Sequence, residues 1–325
     1  MKLLFKVLLS ALVLLLLGSV AGYFYMRKKF IPAPNQLVVS GLPATTNFTW
    51  LADTADGRAM PHAAVLLPVR VPGCSRTCYL QFDTGAPFTM LYARSLATLQ
   101  RSYPALALAS SADADTARNV RFALGGGQVQ ARWMRVKPFG ATQLPADSTA
   151  PFIIGTLGTD VLEGRALVLD YPARLFSLAA QVPDTLAQRA DFVPLAFDNR
   201  RVLLSLGLQG EAKPLLFDSG SSAFALITDQ DTWKKMASPG APTRTAEVGS
   251  MAKPITAHTV ATGAGLTLGA TALPLGTVTY VTGTNWQENL LMRFSGMGGM
   301  LGNEVFTQRT VIFDVAGGRF GMVRR

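Results

Sequence analysis

Two short stretches of the chain each place an aspartate at the end of an apolar run, followed by a hydroxyl residue and a glycine. The first is YLQFDTGAPFTMLY, Tyr79 to Tyr92, and the second is LLFDSGSSAFALIT, Leu215 to Thr228. The glycine permits a tight turn, and the hydroxyl can orient nearby backbone or the carboxylate itself. Two carboxylates held close together share one proton, because they cannot both ionise easily. Asp83 and Asp218 would therefore form a general acid–base pair if the fold brought them together.

The two stretches belong to a longer internal repeat. VLLPVRVPG (Val65–Gly73) matches VLLSLGLQG (Val202–Gly210), and FALGGGQVQARWMRV resembles LTLGATALPLGTVTYV. IIGTLGTDVLEGRALVLDYPARLFSL also resembles GMLGNEVFTQRTVIFDVAGGRFGMV, in an alignment that places Gly155 over Gly302. The blocks keep their order at offsets of 135 to 147 residues. This period is too long for a solenoid, so it predicts two tandem lobes.

The pattern within each half is typical of strands. Short runs of branched aliphatic residues alternate with turns, and the 30 Gly and 19 Pro residues are spread along the chain. Few windows keep a helical period beyond ten residues, so we predict an all-β protein with small helices. The expected domains are a linker with the first strands over 31–60, an N-terminal lobe over 61–185 and a C-terminal lobe over 186–325.

These blocks resemble the pepsin-like and retropepsin-like aspartic proteases. FDTGAPFTM and FDSGSSAFALIT look like the family's two active-site motifs, and IIGTLGTDVL and GMLGNEVF look like its hydrophobic-hydrophobic-glycine motif. The resemblance implies a bilobal acid-protease fold of two β lobes related by a pseudo-twofold axis. It implies an endopeptidase that hydrolyses extended polypeptides through a water activated between Asp83 and Asp218, without a cofactor or metal. It also favours a monomer and, because the lobes are compact, a bacterial source.

The resemblance assigns roles to the residues that follow the two aspartates. Thr84 and Ser219 are expected to brace the pair through their hydroxyls, and Gly85 and Gly220 to form the turns. Ser221 occupies the next place in the second half, where the first half has an alanine. We expect this difference to affect the working pH.

The hairpin that we expect to act as a flap departs from the pepsin-like pattern. Pepsin-like enzymes usually carry a tyrosine there, whereas this hairpin offers Phe122 and the triple glycine Gly125, Gly126 and Gly127. A glycine-rich tip is closer to the retroviral style.

The first thirty residues predict a membrane segment. The stretch Leu3 to Met26 is apolar apart from Lys6 and is long enough to cross the hydrocarbon core. The aromatic residues near its end and the basic cluster Arg27–Lys29 favour a retained anchor. Ser19–Ala21 resembles a cleavage site, so a secretory signal peptide stays open as the alternative. Basic residues flank both sides of the segment, so they do not settle its orientation. We expect the folded part to lie outside the cytoplasm, in the periplasm or the extracellular space, either anchored to the membrane or secreted.

The net charge of +10 does not indicate a nucleic-acid-binding protein. Five basic residues and no acid lie in the first thirty positions, which leaves 25 basic against 20 acidic residues in the remainder. That remainder has no dense basic run with interleaved aromatics, so we expect a peptide or protein partner and no nucleic acid.

The two cysteines, Cys74 and Cys78, flank a short turn. Their spacing suits a disulfide at a hairpin tip in an oxidising compartment, and two free thiols are the alternative.

Two alternatives to proteolysis stay open. A protein on the same fold could bind extended peptides or act as a scaffold without catalysis, with Asp83 and Asp218 as turn-forming acids. Alternatively, the duplicated β unit is unrelated to proteases, and the two acids then lie on opposite faces. Asp170 and Asp314, by contrast, are predicted to be turn residues that follow buried strands.

Overall fold

The computed structural model describes residues 6, 12–20, 22, 24, 32–108, 115–249, 254–283 and 297–324. The chain divides into two compact units, Met1–Asn35 and Gln36–Arg325. In the first unit, residues 12–20 are helical. Much of the predicted membrane segment lies outside the described residues, and no helix among the described ones is both long and apolar enough to cross a bilayer.

The second unit is built mainly from β-strands. Its first nine strands are β1 (Leu37–Ser40), β2 (Ala44–Asn47), β3 (Thr49–Ala55), β4 (Arg58–Arg70), β5 (Cys78–Phe82), β6 (Met90–Tyr92), β7 (Thr116–Leu124), β8 (Gly127–Lys137) and β9 (Ile153–Leu157). The later strands are β10 (Ala166–Asp170), β11 (Leu175–Ala179), β12 (Ala190–Asp198), β13 (Arg201–Leu208), β14 (Glu211–Phe217), β15 (Leu226–Ile227), β16 (Arg244–Gly249), β17 (Pro254–Ala261), β18 (Gly265–Leu268), β19 (Thr271–Pro274), β20 (Thr277–Thr282), β21 (Gly299–Leu301), β22 (Thr310–Asp314) and β23 (Arg319–Val323).

Helices in this unit are short. The α-helices are Ala93–Ser102, Asp184–Ala187 and Gln230–Met236, and the 3-10 helices are Thr159–Leu162, Ser219–Ser221 and Asn303–Phe306. The prediction of a mostly β protein with small helices is therefore confirmed.

The described strands form two sheets. One has eight strands in the order β1-β8-β6-β9-β5-β4-β3, with β7 paired to β4 and β8. The other has fifteen strands in the order β16-β17-β20-β15-β21-β14-β13-β12-β23-β22-β10-β11-β2, with β18 paired to β13 and β19. The second sheet thus takes strands from both halves of the sequence.

Strand pairing around the two aspartates follows the same pattern in both halves. In the first half, β5 lies antiparallel to β4 and parallel to β9, and β6 lies antiparallel to β9. In the second half, β14 lies antiparallel to β13 and parallel to β21, and β15 lies antiparallel to β21. Each aspartate follows the central strand of such a group.

The strands β10 and β22 join the two halves directly. They pair antiparallel, and Val168 faces Ile312, which occupies the same place 144 residues later in the repeat. On one side, β11 pairs with β10 and β2 pairs with β11. On the other side, β23 pairs with β22 and β12 pairs with β23.

Side chains that alternate along the strands between buried and exposed positions form the core. In β13, every second side chain from Val202 to Leu208 is buried, which is the period expected of a sheet with one covered face. The hairpin before β13 turns on Asn199 and Arg200, both at positive φ, and the hairpin after it turns on Gln209 and Gly210 in the same conformation. Such two-residue turns match the strand twist and fix the register that carries Asp218.

Candidate functional site

The structure brings the two predicted acids together in one site. Asp83 directly follows β5 and its N–H donates to the Leu157 carbonyl at 3.0 Å. Asp218 directly follows β14 and its N–H donates to the Leu301 carbonyl at 2.8 Å. Each acid is therefore fixed by a parallel strand pair. We call Asp83–Ala86 the first aspartate loop and Asp218–Ser221 the second.

Thr84 and Ser219 connect the two aspartate loops. The Thr84 N–H donates to Ser219 Oγ at 2.9 Å, and the Ser219 N–H donates to Thr84 Oγ1 at 2.8 Å. Each hydroxyl then donates to a carbonyl in the opposite half, Thr84 to Phe217 and Ser219 to Phe82. Both side chains are buried. The predicted bracing role of these two hydroxyls agrees with this geometry.

The two loop glycines allow the carboxyl groups to approach. A Cβ on Gly85 would lie 2.5 Å from Asp218 Oδ1, and a Cβ on Gly220 would lie 2.6 Å from Asp83 Oδ1. Their N–H groups donate to the aspartate of their own loop, Gly85 to Asp83 at 2.8 Å and Gly220 to Asp218 at 2.9 Å. Each carboxyl group is thus held by one loop and packed against the glycine of the other.

The environments of the two acids differ. Ser221 Oγ donates to Asp218 Oδ2 at 2.8 Å, whereas the first aspartate loop has Ala86 in the corresponding place. Asp83 is 8% exposed and Asp218 is half-buried. The second acid therefore has a side-chain hydrogen-bond donor that the first acid lacks.

The protonation of the pair follows from burial and proximity. Burial, followed by the negative charge of Asp218, raises the pKa of Asp83 from its ordinary value of 3.8 to about 7. Hydrogen bonding with the Asp218 carboxyl acts in the same direction, and the N–H groups of Gly85 and Ala86 oppose it. Burial and the neighbouring carboxylate thus favour the protonated form of Asp83, which is the form that a general acid requires.

A glycine lies beneath each aspartate loop. A Cβ on Gly158 would lie 2.8 Å from the Ala86 carbonyl oxygen, and one on Gly302 would lie 2.2 Å from the Ser221 carbonyl oxygen. The matching positions are therefore Gly158 and Gly302, and the sequence alignment of Gly155 with Gly302 is wrong. Gly155 corresponds to Gly299, since each of these two glycines lies against a carbonyl of the adjacent antiparallel strand, β6 or β15.

The residue after each of these glycines supports the site, and sequence analysis missed both. Thr159 Oγ1 donates to the carbonyls of Arg200 at 2.6 Å and Ala86 at 3.1 Å. Asn303 Nδ2 donates to Ser222 Oγ at 2.8 Å, and Asn303 Oδ1 accepts from the buried Tyr171 hydroxyl at 2.7 Å. Their positions directly after the two matched glycines were the feature of the sequence that could have identified them.

Two contacts between side chains connect the two halves of the chain. Glu304 lies in a 3-10 helix of the second half, and its Oε2 is 3.1 Å from His62 Nδ1 in β4. Glu163, which follows a 3-10 helix of the first half, pairs with the turn residue Arg200 at 3.1 Å. His62 therefore has a hydrogen-bonding partner in the other half of the chain.

The predicted flap residues take a different role. Phe122 is buried in the core, and the turn Gly125–Gly127 packs against the β1–β2 connection. A Cβ on Gly125 would lie 2.2 Å from the Thr45 carbonyl oxygen, and one on Gly127 would lie 2.7 Å from Ala44 Cβ. The assignment of Phe122 and of Gly125, Gly126 and Gly127 to a flap is therefore wrong, because this hairpin tip is packed under another connection.

The cysteines are adjacent but unbonded. Cys74 and Cys78 are free thiols with their Sγ atoms 4.0 Å apart, so the disulfide predicted from their spacing is not formed in this structure. Cys74 Sγ donates to the Arg76 carbonyl at 3.4 Å. The two sulfurs are near each other because the chain turns between the cysteines, and the Arg76 carbonyl in this turn accepts the hydrogen bond from Cys74.

Asp170 and Asp314 are turn residues, as predicted. Asp170 accepts from the Ala173 N–H at 3.0 Å, and Asp314 accepts from the Gly317 N–H at 2.9 Å and from Arg319 Nε at 2.7 Å. Among the described residues, no group of three or more His, Cys, Asp or Glu side chains could hold a metal ion.

Comparison with known proteins adds no family assignment. No protein-family model and no curated protein matches this chain.

Proposed function

We propose that the chain is an aspartic-type endopeptidase that hydrolyses peptide bonds of extended polypeptides between Asp83 and Asp218. The single observation that carries this proposal is the reciprocal bracing of two neighbouring carboxyl groups by Thr84 and Ser219. Such bracing is unnecessary for isolated turn acids, but it holds two acids at a fixed separation. It also argues against the alternative that the acids lie on opposite faces.

The repeated strand pairings support a bilobal acid-protease fold with a pseudo-twofold axis. The Val168–Ile312 pair joins equivalent positions of the repeat, so an axis through this pair would relate β10 to β22. The same axis would relate Asp83 to Asp218. On this interpretation the lobes are residues 61–185 and 186–325, and both contribute to one site.

The chemistry uses one proton and one water molecule. Asp218, to which Ser221 donates a hydrogen bond, accepts a proton from the water as the water oxygen attacks the scissile carbonyl carbon. Asp83 donates its proton to the carbonyl oxygen, which gives a neutral tetrahedral intermediate. Transfer of a proton from Asp218 to the amide nitrogen then accompanies breakage of the C–N bond, while Asp83 recovers its proton from the intermediate. The products are a carboxylic acid and an amine.

The proposed location is outside the cytoplasm, with the N-terminal apolar segment as a membrane anchor or, after cleavage, as a removed signal peptide. The substrate would be a peptide or protein in the periplasm or extracellular space, and the folded unit would act as a monomer.

The test is proteolysis by the full-length protein of an unfolded protein and a peptide library between pH 3 and 8. Asp83→Asn and Asp218→Asn should each reduce cleavage by about 10²–10⁴-fold, which is the usual contribution of a general acid or base. Asp198→Asn removes an exposed carboxylate and should cleave like the wild type. Circular dichroism would establish that each variant is folded.

Cleavage by both Asn variants at the wild-type rate would overturn the assignment. Peptide binding by the wild type without turnover at any pH would also overturn it, and would favour a peptide-binding scaffold on the same fold.

A further inference from the structure

Four strands present an exposed face far richer in arginine than in acid. Strand register places residues of β4, β7, β8 and β1 on two neighbouring rungs. The first rung contains Arg70, Ala123, Gln128 and Ser40. The second rung contains Arg121, Gln130 and Val38. No residue of either rung is acidic.

A third arginine extends this face along β8. Arg132 follows Gln130 by two positions, so the two side chains point to the same side of the sheet, and both are exposed. We call Arg70, Arg121 and Arg132 the arginine face. All three are exposed, and none forms an ion pair with a described carboxylate. Three cations on one side of a sheet repel one another unless an anion lies against them.

A shallow cavity of about 190 Å³ opens on this face. It is lined by Val38, Asn119, Val120, Arg121, Gln130, Ala131 and Arg132. Val38 is 64% exposed, which is unusual for a valine inside a strand. The surface therefore combines guanidinium groups that can bind phosphate in a bidentate manner with an exposed apolar side chain on its edge strand, β1.

The stretch of chain between this face and the predicted membrane segment is short. β1 carries Val38 and begins at Leu37, eight residues after Lys29, the last residue of the basic cluster. A chain of eight residues spans at most about 28 Å. The length of this connection sets an upper limit on how far β1 can lie from the end of the predicted segment.

We propose that the arginine face docks on anionic phospholipid headgroups of the membrane that holds the N-terminal segment. Guanidinium groups of Arg70, Arg121 and Arg132 bind lipid phosphates, and Val38 lies against the headgroup region. Anionic leaflets attract basic residues next to a membrane segment, so charge and tether act together. This inference rests on the proposed anchor and is independent of proteolysis, so it can fail while the proposed enzyme activity stands.

The test measures how fast phenylglyoxal modifies each arginine in the full-length protein. The protein is reconstituted in phosphatidylcholine vesicles with or without phosphatidylglycerol, and modification is mapped by mass spectrometry. We expect the arginine face to react at least about fivefold more slowly in the vesicles with phosphatidylglycerol, and to regain its reactivity in high salt. Exposed arginines on other parts of the unit, Arg58, Arg189 and Arg244, should react equally in both.

Paired variants make the result specific. Arg70→Gln/Arg132→Gln should remove most of the protection of Arg121, while Arg58→Gln/Arg244→Gln should leave it unchanged. Equal reactivity of the arginine face in both vesicles would overturn the proposal. Protection in neutral vesicles by added inorganic phosphate would replace it with a small-anion site. Protection that depends on protein concentration and not on lipid would replace it with contact between copies of this chain.

Discussion

Thr84 and Ser219, 135 residues apart, each donate a backbone N–H to the side-chain oxygen of the other. Each hydroxyl donates a hydrogen bond to a carbonyl of the opposite half. Four buried hydrogen bonds therefore depend on two small side chains. The consequence is that neither aspartate loop has its full set of partners unless the other half of the chain is in place.

Loss of either hydroxyl should destabilise the protein strongly. Thr84→Val leaves the Ser219 N–H and the Phe217 carbonyl without their partner, and each buried unsatisfied group costs about 1–3 kcal/mol. We expect the free energy of unfolding to fall by about 2–5 kcal/mol, and by a similar amount in Ser219→Ala. Chemical denaturation measures both losses.

Thr245→Val provides the matched control, because Thr245 is exposed on β16. We expect this control to change the free energy of unfolding by less than about 0.5 kcal/mol. The double variant at Thr84 and Ser219 should lose more stability than either single variant, since each side chain makes its own two hydrogen bonds. A double variant as stable as either single variant would contradict the reciprocal arrangement.

A methyl group at either loop glycine should disable the site. The Cβ of Gly85→Ala would meet Asp218 Oδ1 at 2.5 Å, and that of Gly220→Ala would meet Asp83 Oδ1 at 2.6 Å. The carboxyl groups must then move apart, and a displacement near 1 Å costs about 10²-fold in rate. We expect kcat/KM for peptide cleavage to fall by that factor in each variant.

The control for this prediction is Gly126→Ala, whose Cβ would meet nothing within 4 Å. It should retain wild-type kcat/KM. Full activity in Gly85→Ala would show that the carboxyl groups do not need the observed approach.

The strand pattern and the two acids could be predicted from the sequence, because both depend on local alternation and on a repeat. The alternation in VLLSLGL specifies a strand, and the matched blocks place Asp83 and Asp218 after equivalent strands. The pairing of Val168 with Ile312 and the exchange between Thr84 and Ser219 depend on how the halves meet. Periodicity along one strand contains no information about that contact.

The errors have a similar cause. A glycine-rich hairpin has the composition of a mobile tip, so Gly125 suggested a flap, yet the tertiary structure packs this turn against Thr45. The alignment of Gly155 with Gly302 was based on the similar residues of the two blocks, and it is three residues out of register. The carbonyls that face each glycine identify Gly158, and not Gly155, as the counterpart of Gly302.

Stability should fall as the pH rises from about 4 to about 7. The pKa of Asp83 is raised from 3.8 to about 7 in the folded protein, so in this window the unfolded chain releases a proton that the folded chain keeps. The contribution of Asp83 is therefore fully present below pH 3.8 and is lost as the pH passes about 7. Burial also raises the pKa of Asp160, which changes stability in the same direction.

Denaturation measured at several pH values would test this. Asp83→Asn should make the free energy of unfolding fall less steeply with pH, and the double variant with Asp160→Asn should reduce the fall further. Asp198→Asn, at an exposed position, should keep the wild-type slope. A wild-type slope in Asp83→Asn would contradict the raised pKa of Asp83.

A hydroxyl added beside Asp83 should move the activity profile to lower pH. Ser221 donates to Asp218, and Ala86 leaves Asp83 without the equivalent donor. Ala86→Ser would supply that donor, which favours the charged carboxylate and lowers the pKa of Asp83. Because Asp83 must be protonated to act as the general acid, the alkaline limb of kcat/KM should shift down by up to about one pH unit. Ala212→Ser, which adds a hydroxyl at an exposed position of β14, should leave the limb in place. An alkaline limb that stays fixed in Ala86→Ser while cleavage continues would mean that Asp83 is not the acid whose ionisation ends activity.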